Sequence, residues 1–477
     1  MGSRLLAAFC LFERSSILAN NMNVLFIAVD DLRPQLGCYG VDWVHSPNID
    51  ALAQSGTVFE RAYCQQAVCA PSRASVLSGC RPDTTTIYDL QTPLRSVMPD
   101  VVTMPQHFKN NGYESLSIGK IYHHSNDDMQ GWSRDPFLNR GDWVGRGYLT
   151  DEAIEVIEAG DKQLAAEGST RRGLGPAFEA ADVPDNAYHD GMDADTAIAE
   201  LNRLSKEDNP FFMALGFHKP HLPFNAPKRY WDLYHDVPLA ENNFAPENAT
   251  EYTLTNFGEM RGYFGIPKEG PVPDDLARKL VHGYAACVSY MDAQVGRVLD
   301  ELDRLGLREN TVVMIWGDHG WKLGEHASWC KHSNMEIDAR APLIVSAPGM
   351  SENQKTQALT EFVDMYPSLC DLCGIERPGH LEGSSFVPLL EDSEQSWKRA
   401  AFSQYPRGKV MGYTMRTNRF RYTEWQDKQT GEPLARELYD HDRDAQENLN
   451  AIGSDTYVNA VSELEKLLGD GWQSMVV

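Results

Sequence analysis

The chain has 477 residues, 42% of them hydrophobic, which is enough for a large core and a length suited to one big domain with a smaller one attached. Its 43 lysines and arginines face 68 acidic residues, and a formal net charge of -25 argues against a general nucleic-acid binder and against adhesion to anionic membrane. An anionic substrate must therefore find a local positive site. Nine cysteines without regular spacing do not form a disulfide framework, and Cys370 and Cys373 in "DMYPSLCDLCG" read as one buried face of a short helix.

Residues 1–21 hold Arg4 and an apolar run that Glu13 and Arg14 cut short. They are either a leader, which makes the protein exported or periplasmic, or a misassigned start ahead of Met22, which makes it cytoplasmic. No later stretch is apolar for long enough to span a bilayer. "NVLFIAVDD" is the first strand and runs into Asp30 and Asp31. "SPNIDALAQSG" is a helix with Pro47 in its first turn and Gly56 as its stop. "VCAPSRASVLSG" places Cys69 where a helix N-terminus is expected, with Pro71 in the first turn and Arg73 one turn on, an arrangement that favours an anion. It is not a tyrosine-phosphatase loop, which needs five residues between cysteine and arginine.

"TMPQHFKNNG" is a further helix, stopped by Gly112. "ESLSIGKIYH" runs from a strand into Lys120 and His123, "PFFMALGFHKPH" into His218 and His221, and "TVVMIWGDHG" into Asp318 and His319. Short continuous apolar runs are buried parallel strands, and ligands collect at the carboxyl ends of such strands. Between about 139 and 190 the sequence is Gly-rich and charged with little strand pattern, an insertion or loop near the cleft. A long amphipathic helix covers about Asp274 to Leu305, and "ARAPLIVSAPG" is the last strand of the large sheet. From residue 385 short alternating runs such as "GYTMRTNRFRYTEW" imply antiparallel strands, followed by a helix from about Ser454 to Leu468. The expected fold is α/β: a large doubly wound mixed sheet flanked by helices over 22–384, with a smaller domain of antiparallel strands and a helix over 385–477.

Carboxylate pairs far apart in sequence are a common way to build a hard-cation site, and Asp30-Asp31 and Asp318-His319 both fall at strand ends. Together with Cys69, Pro71, Ser72, Arg73, Leu77 and Gly79, which fit C-x-P-S-R-x-x-x-L-x-G, they make the chain resemble the type I sulfatases of the alkaline-phosphatase-like superfamily. The resemblance runs from "NVLFIAVDDLRPQLGCYG" through "GKIYH" and "GDHGWKLGEH" to "ELYDHDRDAQENLNAI". "QQAVCAPSRASVLSGCRPDTTTIYDL" and "FHKPHLPF" are most like the branch that acts on iduronate 2-sulfate.

The resemblance implies that Cys69 is the precursor of formylglycine, made by a maturation enzyme. One hydroxyl of the aldehyde hydrate attacks sulfur, and the other lets the ester collapse back to aldehyde. It also implies a metal, calcium, held by Asp30, Asp31, residue 69, Asp318 and His319. Many relatives carry Asn where His319 stands, and His319 has an alternative role in hydrogen-bonding the sulfate. Arg73 and Lys120 steady the hydrate and sulfate, His123 accepts the proton from the second hydroxyl, and His218 and Lys331 touch the sulfate and leaving oxygen. His218 is the better acid, since its unperturbed pKa lies near neutrality. His221, Trp321, His332 and Arg340 line the sugar side. The implied substrate is a sulfated oligosaccharide or small sulfate ester, with the 2-sulfate of a uronic acid as the specific expectation. A phosphonate or phosphate ester hydrolase is the enzyme alternative. A non-catalytic binder of sulfated glycans is the other, if Cys69 stays unmodified.

Overall fold

The computed structural model describes residues 22–124, 127–139, 147–170 and 172–475, so the expected leader lies outside the described residues. Seven strands form the main sheet: β1 (Asn23–Val29), β2 (Thr57–Phe59), β3 (Glu114–Gly119), β4 (Phe211–Phe217), β5 (Thr311–Gly317), β6 (Leu343–Ser346) and β7 (Gln354–Thr356). Their order across the sheet is β7-β2-β6-β5-β1-β4-β3. The four apolar runs of the sequence are β3, β4, β1 and β5, which lie side by side and parallel. "ARAPLIVSAPG" departs from expectation. Its strand, β6, runs antiparallel to β5 and β2, and β7 follows it in the chain, so it is not the last strand.

Both faces of the sheet are covered, which is why its strands read as unbroken apolar runs. Along β1, Leu25, Ile27 and Val29 enter one core with the long helix Asp274–Arg304, while Val24, Phe26 and Ala28 enter the other with Val76 and Leu77 of the helix Cys69–Ser78. The register brings the carboxyl ends level: Val29 lies opposite Phe217 on one side and Gly317 on the other, and Gly119 opposite Gly216. Gly216 has to be glycine, because a Cβ there would lie 2.0 Å from the carbonyl oxygen of Lys120. Within 139–190 the described residues form a helix, Asp151–Ala166, and a short strand, Phe178–Ala181. Cys370 and Cys373 are buried free thiols of the second core.

The chain from Phe386 to Leu390 still packs into the second core. The C-terminal meander then starts at Ala400, with β8 (Ala400–Arg407), β9 (Val410–Thr417), β10 (Phe420–Asp427) and β11 (Pro433–Asp440), all antiparallel, and a helix Val458–Asp470 behind it. β8 is bound to the lead-in of the Cys69 helix: Ser403 Oγ donates to the Cys64 carbonyl at 2.5 Å, and Gln404 N to that of Gln65 at 2.8 Å. No helix among the described residues is long and apolar enough to cross a membrane.

Candidate active site

Asp30 and Asp31 follow β1 directly, and their carboxylates serve one site because Asp31 takes a left-handed backbone (φ 59°) that turns the chain back. That turn is tied from three sides. Asp31 N donates to Asp318 Oδ1 at 3.0 Å, Tyr284 of the long helix donates to the Asp31 carbonyl at 2.8 Å, and Asp318 N donates to the Val29 carbonyl at 3.1 Å. All three aspartates are fully buried.

Cys69 is the first residue of a ten-residue helix in which every residue is buried, and the helix ends at Gly79 with φ 70°. Its Sγ lies 3.3 Å from His319 Nε2 and 3.9 Å from Asp31 Oδ1. Burial pushes the Cys69 thiol well above its ordinary value despite Lys331 and Lys120, so as a thiol it is neutral and a poor nucleophile. Arg73, one turn along, joins the strand ends. Its Nε donates to Asp318 Oδ2 at 2.9 Å, its Nη2 to Asp30 Oδ1 at 3.2 Å, and its Nη1 to the carbonyls of Lys120 and Ile121 at 2.5 and 2.9 Å. Its donors are thus divided between two carboxylates and two backbone carbonyls. Lys120 Nζ meets Asp30 Oδ2 at 2.5 Å.

The donor set fits a hard cation with one nitrogen ligand. Ligand atoms of Asp30, Asp31, Cys69 and His221 lie within 4.8 Å of one another, as do those of Cys69, Asp318 and His319. His319 Nδ1 is 2.9 Å from the Gly320 carbonyl, which can only accept, so Nδ1 carries the proton. Nε2 lies 3.4 Å from Asp31 Oδ1 and 3.5 Å from Asp318 Oδ1. With Nε2 unprotonated, the ring and the two carboxylate oxygens need a cation between them. The Asp31 carboxyl has the same need: burial, joined by Asp30 and Glu259, pushes it up to about 7 against the pull of Lys331.

On the far side Lys331 sits between Asp31 (3.1 Å to Oδ1) and Glu259 (2.9 Å to Oε1), with its ammonium 4.7 Å over the ring of Trp321. Its neighbours Cys330 and His332 both hold positive φ, 67° and 87°, so the lysine is presented by a strained turn. His221 donates from Nδ1 to the Leu222 carbonyl at 2.5 Å and brings Nε2 to 3.3 Å from Glu259 Oε1. Lys120, His123 and His218 line a cavity of about 260 Å³ with Trp132, Asn139 and His189. Burial and Lys120 push His123 down to about 4 and hold His218 well below its ordinary value. The near-neutral pKa expected of His218 therefore does not describe the ligand-free protein. Asp190 fixes the turn after β4 by accepting from His218 N and Lys219 N, both at 2.9 Å.

Asp30, Asp31, Cys69, Arg73, Lys120, Asp318, His319 and Lys331 thus form one network, with His221 at its edge and His123 and His218 in the adjoining cavity. Three expected sugar-side residues stand differently. Trp321 is wholly buried and forms a floor under Lys331, so it offers no wall to a ligand. His332 is engaged at both nitrogens, by Tyr405 OH at 2.9 Å and Glu259 Oε2 at 3.1 Å. Arg340 donates to the Glu60 carbonyl at 2.6 Å and borders a separate cavity with Glu336 and Glu447. Glu259 and Asp190 were not foreseen. Asp190 sits in the first turn of the helix His189–Leu204, and Glu259 in a four-residue helix, Gly258–Arg261, outside any motif.

Residues 22–375 match the family model described as "Sulfatase", and residues 324–473 match one described as "N-sulphoglucosamine sulphohydrolase, C-terminal". The chain is 35% identical to an iduronate 2-sulfatase of Mus musculus, with 89% of each chain covered. To that of Homo sapiens it is 33% identical, with 88% of each covered. Among solved structures, the phosphonate monoester hydrolase from Silicibacter pomeroyi superposes with a TM-score of 0.75 at 23% identity, over 95% of this chain and 96% of that one.

Proposed function

The chain belongs to the sulfatase family and is a sulfuric ester hydrolase, and from that premise we propose that it removes the 2-sulfate of a uronic acid using a formylglycine made from Cys69. One observation carries the site assignment: Cys69 Sγ points from a buried helix N-terminus to within 3.3 Å of His319 Nε2, beside Asp31, where a neutral thiol has no nucleophilic use. Formylglycine would supply the hydroxyl that a thiol lacks. Calcium held by Asp30, Asp31, Asp318 and His319 would draw charge from that hydroxyl and from the sulfate.

The chain's own groups do the rest. Lys331 and Lys120, paired with Asp31 and Asp30, supply the positive charge for the sulfate, and Arg73 keeps Asp30 and Asp318 in place for the metal. His218 stands free of charge until an anionic ester arrives, takes up a proton as that charge offsets Lys120, and delivers it to the leaving oxygen. His123, neutral at physiological pH, is the proton acceptor of the release step. The uronate assignment is supported by the 35% and 33% identities to iduronate 2-sulfatases. The net charge of -25 repels long polyanions, so short chains or chain ends are the preferred form.

The test is a panel of uronate 2-sulfates, glucosamine 6-sulfates, galactose sulfates and choline sulfate, with a matched phosphate ester and phosphonate, alongside the mass of the peptide containing Cys69. Best turnover of a uronate 2-sulfate and an aldehyde at residue 69 are expected. An unmodified thiol in active protein overturns the nucleophile, and a preferred neutral sulfate or phosphonate overturns the substrate.

A further inference from the structure

Four carboxylates and three full cations make two groups of ion pairs around Cys69, Asp30 with Arg73 and Lys120 and Asp318 with Arg73, then Asp31 and Glu259 with Lys331, joined into one set by the bond from Asp31 N to Asp318 Oδ1 at 3.0 Å. Asp30, Asp31 and Asp318 have a second task as candidate metal ligands. Glu259 has none. Its carboxylate is spent on Lys331 at 2.9 Å and on His332 at 3.1 Å, with His221 at 3.3 Å, and 23% of its side-chain surface stays exposed. With a dication in place and the imidazoles neutral, the set carries one surplus positive charge, which matches a sulfate ester group, which is singly charged. Without Glu259 it would carry two, which matches free sulfate, the dianionic product.

We propose that Glu259 is a charge selector: it lowers the site's positive charge by one, so that the singly charged ester group is favoured over the dianionic sulfate left by hydrolysis and product leaves readily. The inference rests on the sulfatase reading and on the metal fit, and it assigns to Glu259 a specificity role rather than a catalytic one. The electrostatics act at short range inside a partly enclosed site, where one unit of charge changes affinity for a dianion more than for a monoanion.

The experiment is calorimetric binding of inorganic sulfate and of methanesulfonate, a monoanion of similar shape that cannot be hydrolysed, to the calcium-loaded protein at fixed ionic strength. Wild type, Glu259→Gln and Glu259→Asp are compared, with bound calcium measured in each. Glu259→Gln is expected to bind sulfate roughly tenfold more tightly, with a clearly smaller gain for methanesulfonate. Glu259→Asp, which keeps the charge, stays near wild type. Weaker binding of both anions by Glu259→Gln would mean that Glu259 only holds Lys331 and His332 in position, and it overturns the proposal. So does no change, or an equal gain for both anions. Turnover of a sulfate ester by wild type, assayed in parallel, separates this outcome from failure of the sulfatase reading. That reading fails only if no ester is hydrolysed.

Discussion

Charge is buried in two places, at the carboxyl ends of the parallel strands and at the junction with the C-terminal meander, and the two are balanced differently. At the junction Glu361 and Asp364 meet Arg81 and Lys398, with contacts of 2.6 to 2.9 Å, and nearby Glu336 and Glu447 meet Arg416 and Arg421 at 2.6 to 3.1 Å. Each carboxylate there has its own cation. Around Cys69 the carboxylates outnumber the lysines and arginines, and a histidine nitrogen lies 3.4 and 3.5 Å from two of them. A buried pair that balances fastens two parts of the protein together. A surplus of one sign, retained at the cost of desolvation, marks a place built to receive the opposite sign.

The contrast breaks most visibly at the proposed nucleophile. Cys69→Ala should lower turnover by at least roughly 10⁴-fold, as nucleophile losses do, while the melting temperature stays close to wild type. A residual rate near wild type would remove residue 69 from the mechanism. Next comes the surplus itself. Calcium should raise the melting temperature of chelated wild type, contributing about 2.7 kcal/mol at a hundredfold excess over Kd, and Asp318→Asn should abolish that gain and cost roughly 10³-fold in turnover. Equal melting curves with and without calcium would show that the carboxylates balance by other means.

A smaller effect separates the imidazoles within the site. His218→Ala should slow a sugar sulfate roughly 10²-fold and an activated aryl sulfate far less, because only the poor leaving group needs a proton. Equal losses on both would assign His218 to sulfate binding alone. Smallest in turnover is the junction. Glu361→Gln leaves Arg81 and Lys398 buried without their full countercharge and should cost about 3–5 kcal/mol of stability with the rate per folded molecule unchanged. Although burial opposes it, the paired cations hold Glu361 at about 2, below its ordinary 4.5. Its stabilisation is therefore full above pH 4.5 and is lost as pH falls toward 2, so the stability gap between wild type and variant should close over that window. A gap that does not narrow in acid would mean that Glu361 acts through shape and not charge.

The strand ends were legible because each apolar run is followed at once by reactive side chains, and the level register of β3, β4, β1 and β5 turns four sequence positions into one crevice. The helix at Cys69 was legible from Pro71 and Gly79. The direction of β6 was not, because a four-residue run buried on both faces reads the same in either sense. Trp321 shows another limit: composition marks an aromatic beside a motif but not whether it faces the ligand or the layer beneath. Glu259 gave no signal, since nothing periodic leads into it. It reaches the site because Phe257 takes φ 44° and opens one helical turn.

The bond from β8 to the lead-in of the Cys69 helix joins residues 339 positions apart. On a chain that emerges from its N-terminus at roughly 5–20 residues per second, that strand arrives some tens of seconds after Cys64. Throughout this interval the segment around residue 69 lacks its final clamp. The order of synthesis thus gives the buried Cys69 a period of exposure that the finished protein never repeats.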